Sequence, residues 1–531
     1  MSQKADKIRA QVEMRIAEEA ASAPAKPDEP AAPLPVDFIM SCLPANRVGD
    51  ATLYAALYRG QFVYVERWSC WLRWMGHHWE SDMNQRCSLA AIERVCEQYQ
   101  RLITEKKLDE EDDLYKLIRK RLNILRDRSG RENLLACAAT IAEPLCIDGQ
   151  ELDRQDYLLA CTNGVIDLRT GQLSPGQPEH YISKSCPTEF RGLDEPSSVF
   201  DAFLLSCFDG AADMAAYILR LLGYGLLGTR DDHIWAIFHG PRGRNGKDTL
   251  MKICFDVLGD ELVTKIQTAT LLQQSFQRSG AQPDPDILSL RGAKLAFANE
   301  AEANQKMAMS RIKELTGGSK LSARGITDKH ITKWDQTHLL FLMTNDLPKI
   351  KSDDDAFWSR VHAIHWPVRF VDRPEAADER SRDPKMSEKL RLESSGILAR
   401  LVQGAMDYLA QGLNPPEKVT SYTREQREMF DDIGQFLNDC CVVEEPPPLG
   451  GKLLTRIVAA EFVAICNWWL KQTFGNAYPY SAKRITQALD KKGIHSQKSN
   501  KMHYLGVSIK ADVLVEYAGT TGEPEQKSWM K

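Results

Sequence analysis

The sequence predicts an α/β core with an α+β unit before it and a small two-helix unit with a hairpin after it. Three observations carry that reading. Residues 233–370 alternate short apolar runs with helical stretches, as helices packed on a sheet require. Residues 37–200 mix tryptophan-rich strands, amphipathic helices and a glycine-flanked hairpin. Residues 452–515 read as helix, basic helix, then hairpin. At 531 residues the chain exceeds what one ordinary core organises, so several units are expected.

In chain order, residues 1–36 open with a charged stretch and continue Ala/Pro-rich, and they read as a disordered tail or linker. Within 37–200, Trp68, Trp71, Trp74 and Trp79 fall in a strand-rich stretch and alternate with apolar neighbours, which favours core packing over base stacking. Residues 84–145 repeat Leu and Ile between Lys, Arg and Glu at helical spacing. Gly164 and Gly171 bracket a short apolar strand as turn residues would. Residues 201–430 hold a helical pair to 228, the α/β region and further helices from 371. Pro446–Pro448 and Gly450-Gly451 mark a linker over 431–451, and residues 516–531 read as a flexible tail.

Composition excludes more than it selects. Hydrophobic content is 43% and charged content 27%, ordinary for a globular chain. The net charge of −5 announces no polyanion partner, so any nucleic acid must meet local basic patches. The 13 cysteines contain no CxxC pair and no zinc spacing; they read as buried small apolar residues of a reducing compartment. No apolar run is long enough for a membrane span and no secretory leader opens the chain, so a host-cytoplasmic protein without a membrane partner is expected.

The chemistry sits after the strand Ile234–Phe238. It runs into Gly240, Pro241, Arg242, Gly243, Arg244, Asn245, Gly246, Lys247, Asp248 and Thr249, and a helix follows. Strand, Gly-rich loop, Lys and helix form a P-loop arrangement. Glycines let successive N–H groups converge on phosphate oxygens, the helix start adds positive potential, and Lys247 reaches the β/γ-phosphates. Two features depart from the common pattern: five residues rather than four separate Gly240 and Gly246, and Asp248 stands where Ser or Thr usually ligates Mg²⁺. A carboxylate also ligates Mg²⁺, but it adds negative charge beside a triphosphate.

Further along, Lys294–Ala298 forms an apolar strand ending at Asn299-Glu300, which places an acid where it would orient Mg²⁺ or the attacking water, with Glu302 nearby. The strand Leu339–Met343 ends near Asn345, an amide able to bond the γ-phosphate or lytic water. Arg360 follows, placed to act as a finger on a neighbouring subunit's nucleotide.

Taken in order, these pieces resemble the superfamily 3 helicase domain of phage, plasmid and poxvirus replication proteins. Ile312–Gly318 with Arg324 resembles that family's additional motif, and the preceding unit resembles the N-terminal domain found with it in primase-helicases. The resemblance implies an AAA+-like P-loop core, ATP and Mg²⁺ (the latter on Asp248 and Glu300), and a homo-hexamer in which Lys247, Asp248 and Glu300 serve one face of each interface and Arg360 the other. It also implies single-stranded DNA in a central channel, translocated 3′ to 5′, with Lys329 and His330 near the tip of a channel hairpin.

The C-terminal unit resembles a winged helix able to meet duplex or origin DNA. From 471 to 510, Lys471, Lys483, Arg484, Lys491, Lys492, Lys498, Lys501 and Lys510 face only Asp490, and Lys483, Arg484, Lys498 and Lys501 are the candidate contacts. The leading expectation is an ATP-driven DNA helicase of a phage or related mobile element. The alternatives are an origin-binding initiator or loader with weak ATPase, motivated by Asp248 and the acidic chain, and the helicase part of a primase-helicase. A primase fused within this chain is disfavoured by the short Pro/Ala-rich stretch before residue 45, and a generic P-loop kinase by Asn345 and Arg360.

Overall fold

The computed structural model describes residues 34–273, 283–299, 306–326, 331–348, 350, 354–444, 453, 455–475 and 479–521. The first unit begins with helices α1 (Val36–Cys42) and α2 (Asn46–Tyr58). A small sheet follows, of β1 (Phe62–Val65), β2 (Cys70–Trp74) and β3 (Trp79–Ser81). Helices α3 (Arg86–Ala90), α4 (Ile92–Glu105), α5 (Asp113–Arg126) and α6 (Arg128–Ala138) then pack back onto α2, and β4 (Cys146–Ile147) joins the sheet edge. Of the four tryptophans expected in the core, Trp71 and Trp79 are buried in this unit, while Trp68 and Trp74 are half-buried.

A meander of β5 (Leu158–Cys161), β6 (Gly164–Asp167) and β7 (Gln172–Ser174), with β8 (Ser185–Cys186) beside β5, leads into helices α7 (Ser198–Cys207) and α8 (Ala212–Leu226). Leu159, Cys161, Ile166 and Phe190 share one hydrophobic core with the large sheet that follows. The boundary expected at residue 200 therefore falls inside a single core.

That sheet is all parallel, ordered β10–β11–β14–β9–β15. Its strands are β9 (Trp235–His239), β10 (Val263–Ile266), β11 (Leu295–Asn299), β14 (Leu339–Thr344) and β15 (Val361–His365). Both faces are covered, so the strands are near-continuously apolar, and β14 is buried at all positions. Alternation sorts the side chains. Phe238, Phe297 and Phe341 face the core shared with α7, α8, α9 (Lys247–Leu258) and α14 (Ser394–Gln411). Trp235, Ile237, Ala296, Ala298, Leu340 and Leu342 face the opposite core, with α10 (Pro285–Leu288), α11 (Met309–Leu315) and α12 (Asp355–Trp358).

Between β11 and β14, β12 (Leu321–Ala323) and β13 (Thr332–Trp334) pair antiparallel. After β15, the short parallel pair β16 (Arg369–Val371) and β17 (Glu379–Ser381) interrupts a region expected to be helical throughout. Helices α13 (Met386–Leu392), α14 and α15 (Glu417–Met429) complete this part.

The last unit corrects the expected linker. Residues 432–443 form α16 (Asp432–Cys440) and β18 (Cys441–Val443), and Ile433, Phe436, Leu437 and Cys440 join the C-terminal core. Then come β19 (Arg456–Val458), α17 (Ala459–Phe474), α18 (Ala482–Lys491), β20 (Ser496–Lys498), β21 (Met502–Leu505), β22 (Val507–Ile509) and α19 (Ala511–Thr521). The expected tail from 516 is thus helical to Thr521. All thirteen cysteines are free. Among the described residues no single helix is long and apolar enough to cross a membrane.

Candidate phosphate-binding site at the end of β9

In the sheet order β9 lies between β14 and β15, so the loops leaving β9 and β14 open side by side at the C-terminal edge, where open α/β sheets bind ligands. The β9 loop is pinned at several points. The Gly240 N–H bonds the Thr344 carbonyl at 3.2 Å and the Gly243 N–H bonds Gly240 O at 3.2 Å. Gly243 and Gly246 adopt left-handed backbone at φ +65° and +91°, and Arg244, exposed, does so at φ +56°. A Cβ on Gly246 would stand 2.7 Å from Cys207 Sγ, and one on Gly240 2.3 Å from Asn245 Oδ1 and 2.6 Å from Lys247 Nζ. The loop is therefore closed against side chains and presents backbone instead.

Asn245 is 3% exposed. Its amide donates to the carbonyls of Trp366 (3.1 Å) and Val368 (2.9 Å), fastening the loop to the segment after β15. The Arg244 carbonyl accepts from Phe370 N at 2.8 Å, adding a second fastening to that segment. The side chain of Asn245 thus braces the loop from behind.

Lys247 opens α9. Its Nζ bonds the Gly240 carbonyl (3.2 Å), Asn245 Oδ1 (3.4 Å), the Thr344 carbonyl (3.1 Å) and Asn345 Oδ1 (3.0 Å). Burial pushes this ammonium down to about 8, with the Asp248 carboxylate opposing the shift. A partly desolvated cation ringed by neutral acceptors gains much from an anion. Asp248 is exposed in the first turn of α9, with Thr249 half-buried beside it.

The remaining expected residues are distributed as follows. Asn345 meets Lys247 directly. Glu300, next in sequence after Asn299, lies outside the described residues, as do Lys329 and His330. Among the described residues no group of three or more His, Cys, Asp or Glu gathers as a metal site. Asp248 and Thr249 fit a Mg²⁺ carried on phosphates, which needs only one or two protein oxygens.

Arg360 stands at the opposite edge of the sheet. Val361 pairs with Trp235 at the start of β9, so Arg360 lies a full strand length from the loop. Its guanidinium donates to the Lys313 carbonyl (2.9 Å) and Thr316 Oγ1 (3.3 Å) at the end of α11.

Lys483, Arg484, Lys498 and Lys501 are all exposed on the C-terminal unit. Ser481 caps α18, its Oγ accepting from Arg484 N at 3.3 Å. Lys498 pairs across from Met502 and Ser499 N bonds Lys501 O at 3.0 Å, so Lys498 and Lys501 flank the turn between β20 and β21.

Sequence reasoning missed a ring cluster beside the loop. The Tyr422 ring stacks on His239 (6.1 Å, 21°) and on His365 (4.9 Å, 24°). The only sequence signal was a histidine ending each of two apolar strands.

Comparison with known proteins finds a family match and several viral relatives. Residues 51–209 match the family described as D5 N terminal like. A putative helicase of Acanthamoeba polyphaga mimivirus is 30% identical over 305 residues, 55% of this chain and 31% of that protein. A putative helicase of Invertebrate iridescent virus 3 is 27% identical over 258 residues, 46% of this chain and 27% of that one. A putative primase of African swine fever virus is 23% identical over 246 residues, 44% and 25% of the two chains. The apo structure of the NrS-1 C terminal region superposes with a TM-score of 0.48 at 12% identity over 86% of this chain and 99% of that one, too loosely to fix a fold. The chain spans less than a third of the length of those viral relatives. The chain thus carries a D5 N-terminal-like domain over residues 51–209, and about half of it is similar to viral proteins named as putative helicases.

Proposed function

We propose that this chain is an ATP-dependent DNA helicase that serves replication of a virus, phage or related mobile element. The observation that carries the reading is Lys247: buried, at the start of a helix behind a closed backbone loop, and 3.0 Å from the amide of Asn345 at the end of the adjacent strand. A triphosphate would take Nζ from its four internal acceptors, and the N–H groups of the loop and of the α9 start would bond its oxygens. Asn345, released from Lys247, would then face the γ-phosphate or the water attacking it. Mg²⁺ beside Asp248 and Thr249 would neutralise charge on the β- and γ-oxygens.

The position of Arg360 supports a ring. It cannot reach the loop of its own chain, so it serves a neighbour's nucleotide or none, as in a homo-hexamer with ATP at the interfaces. The C-terminal unit supports a winged-helix reading, with duplex or origin DNA against α18 and the β20–β21 turn and single-stranded DNA in a central channel. The compartment proposed is the host cytoplasm. An initiator with weak turnover is the second reading, favoured by one observation, the exposed Asp248 carboxylate beside the phosphate position.

ATP hydrolysis by the full chain in Mg²⁺, with and without single-stranded DNA, tests both. Strong stimulation by DNA is expected. ATP binding without turnover would favour the initiator, and absence of ATP binding would end both readings.

A further inference from the structure

Helix α15 lies against β15 and touches both ends of the sheet. At the loop end, the Tyr422 ring packs against both His239 and His365, register partners on neighbouring strands whose ring centroids lie 6.5 Å apart. Midway, Thr423 Oγ1 accepts from Ala363 N at 3.0 Å. At the far end Arg427 pairs with Asp355 on α12, and the Phe430 ring lies 6.3 Å from that of Trp358, in the segment leading to Arg360.

Proton placement on His239 follows from its partners. Nε2 lies 3.1 Å from the main-chain carbonyl of Asn345, which can only accept, so Nε2 carries the proton. Burial holds this imidazole down to about 4, and it is neutral near pH 7. Nδ1 is then bare and accepts from the Tyr422 hydroxyl. The result is one directed chain, Tyr422 O–H to His239 Nδ1 and His239 Nε2–H to Asn345 O, ending on the residue whose side chain meets Lys247.

We infer that His239 and Tyr422 are positioning residues for Asn345: they hold its main chain so that its amide faces the phosphate position, and they tie that placement to α15. The inference rests on the nucleotide reading of the loop. Asn345 follows the last residue of its strand, and the Thr344 hydroxyl beside it donates to the Asp346 carbonyl and accepts from Asp346 N. The His239 imidazole bonds the Asn345 carbonyl directly. Because α15 also reaches the Arg360 segment, a shift of this helix would move the Asn345 end and the finger end of one chain together.

The test uses the full chain and three variants. Tyr422→Phe removes one hydroxyl and keeps the stacked ring. His239→Leu removes both bonds. His239→Gln keeps a donor near the Nε2 position. Binding of a fluorescent non-hydrolysable ATP analogue, turnover with and without single-stranded DNA, and thermal melting are measured for each. Tyr422→Phe and His239→Leu are expected to bind the analogue within about twofold of the parent chain. Their kcat should fall about tenfold or more, as displacement of an aligned group does. His239→Gln should recover most of that loss. Unchanged kcat in Tyr422→Phe and His239→Leu would overturn the inference alone, as would a His239→Gln chain as slow as His239→Leu with the same melting temperature. A parent chain that fails to bind the analogue would overturn the nucleotide reading and this inference together, so the two failures are told apart by the parent.

Discussion

Two inactive variants, mixed, are expected to recover ATP turnover. Lys247→Ala removes the cation of the loop, and Arg360→Ala removes the finger. Each alone should lose about a thousandfold or more in kcat, the range seen when a finger arginine is absent. The reason for expecting rescue is geometric. β15 pairs with β9 from Val361↔Trp235 to His365↔His239, so Arg360 precedes the first pair while the loop departs after the last. At about 3.3 Å per residue the strand separates them by roughly 16 Å, well beyond an arginine side chain. An active interface then needs an intact loop from one subunit, supplied by the Arg360→Ala chain, and an intact finger from the next, supplied by Lys247→Ala. With random assembly from an equal mixture, about one interface in four has that combination in a head-to-tail ring. Turnover near a quarter of the parent level is expected if interfaces fire independently. The assay is steady-state phosphate release after subunit exchange, with exchange followed separately by energy transfer between labelled chains. A mixture that exchanges but stays as inactive as its parents would refute the placement of Arg360 in a neighbour's site.

Two further outcomes follow from charge. Lys483→Ala and Lys498→Ala should weaken DNA binding similarly on all sequences, and each should lower the slope of log affinity against log salt by about one, as loss of a phosphate contact does; an unchanged slope would remove that face from the DNA contact. His338 is 1% exposed, and burial holds its ring at about 3 against 6.5 for an open histidine. The unfolded chain then binds the extra proton, so the stability contributed by a neutral His338 is present above pH 6.5 and is lost as pH falls toward 3. The loss should be on the order of 4 kcal/mol across that window. His338→Leu should flatten the acid limb of a melting-temperature profile between pH 7 and 4, and identical limbs for both proteins would refute the assignment.

What the sequence makes legible is contiguous. Strand, glycine loop, Lys247 and helix lie on one short stretch, and Asn345 and Arg360 stand out as candidates because each sits at the boundary of an apolar strand. What escapes is assembled from afar or masked by composition. Tyr422 reaches His239 from 183 residues away, and nothing near Tyr422 signals a loop partner. Asn245 reads as one more loop residue, yet its amide is spent on Trp366 and Val368, more than a hundred residues on. Residues 432–443 read as linker in the sequence because the Pro446–Pro448 and Gly450-Gly451 break outweighs the helical spacing of Ile433, Phe436, Leu437 and Cys440. Strands of three residues, such as β16 and β17, are too short for alternation to register.

Net charge and local charge need separating before an acidic chain is denied a polyanion. The chain is at −5, yet residues 471–510 of its C-terminal unit gather eight Lys and Arg, and the structure divides them by use. Lys492 pairs with Asp431 ahead of α16, and Lys510 donates to the carbonyls of Asn438 (3.0 Å) and Asp439 (2.8 Å) at the end of that helix. Those cations close α16 onto the unit and are committed to the fold. Lys483, Lys498 and Lys501 are exposed and make no side-chain hydrogen bond or ion pair among the described residues, while Arg484 lies over the Tyr480 ring at 3.4 Å with its edge still exposed. Cations that hold a fold together must be paired inward, and cations that meet phosphates must stay solvated until the phosphates arrive. By that criterion the outward set on α18 and the β20–β21 turn, rather than the total, decides whether this unit can hold DNA. It is a set that the −5 of the whole chain, spread mostly over other surfaces and screened beyond about 10 Å in ordinary salt, does little to oppose.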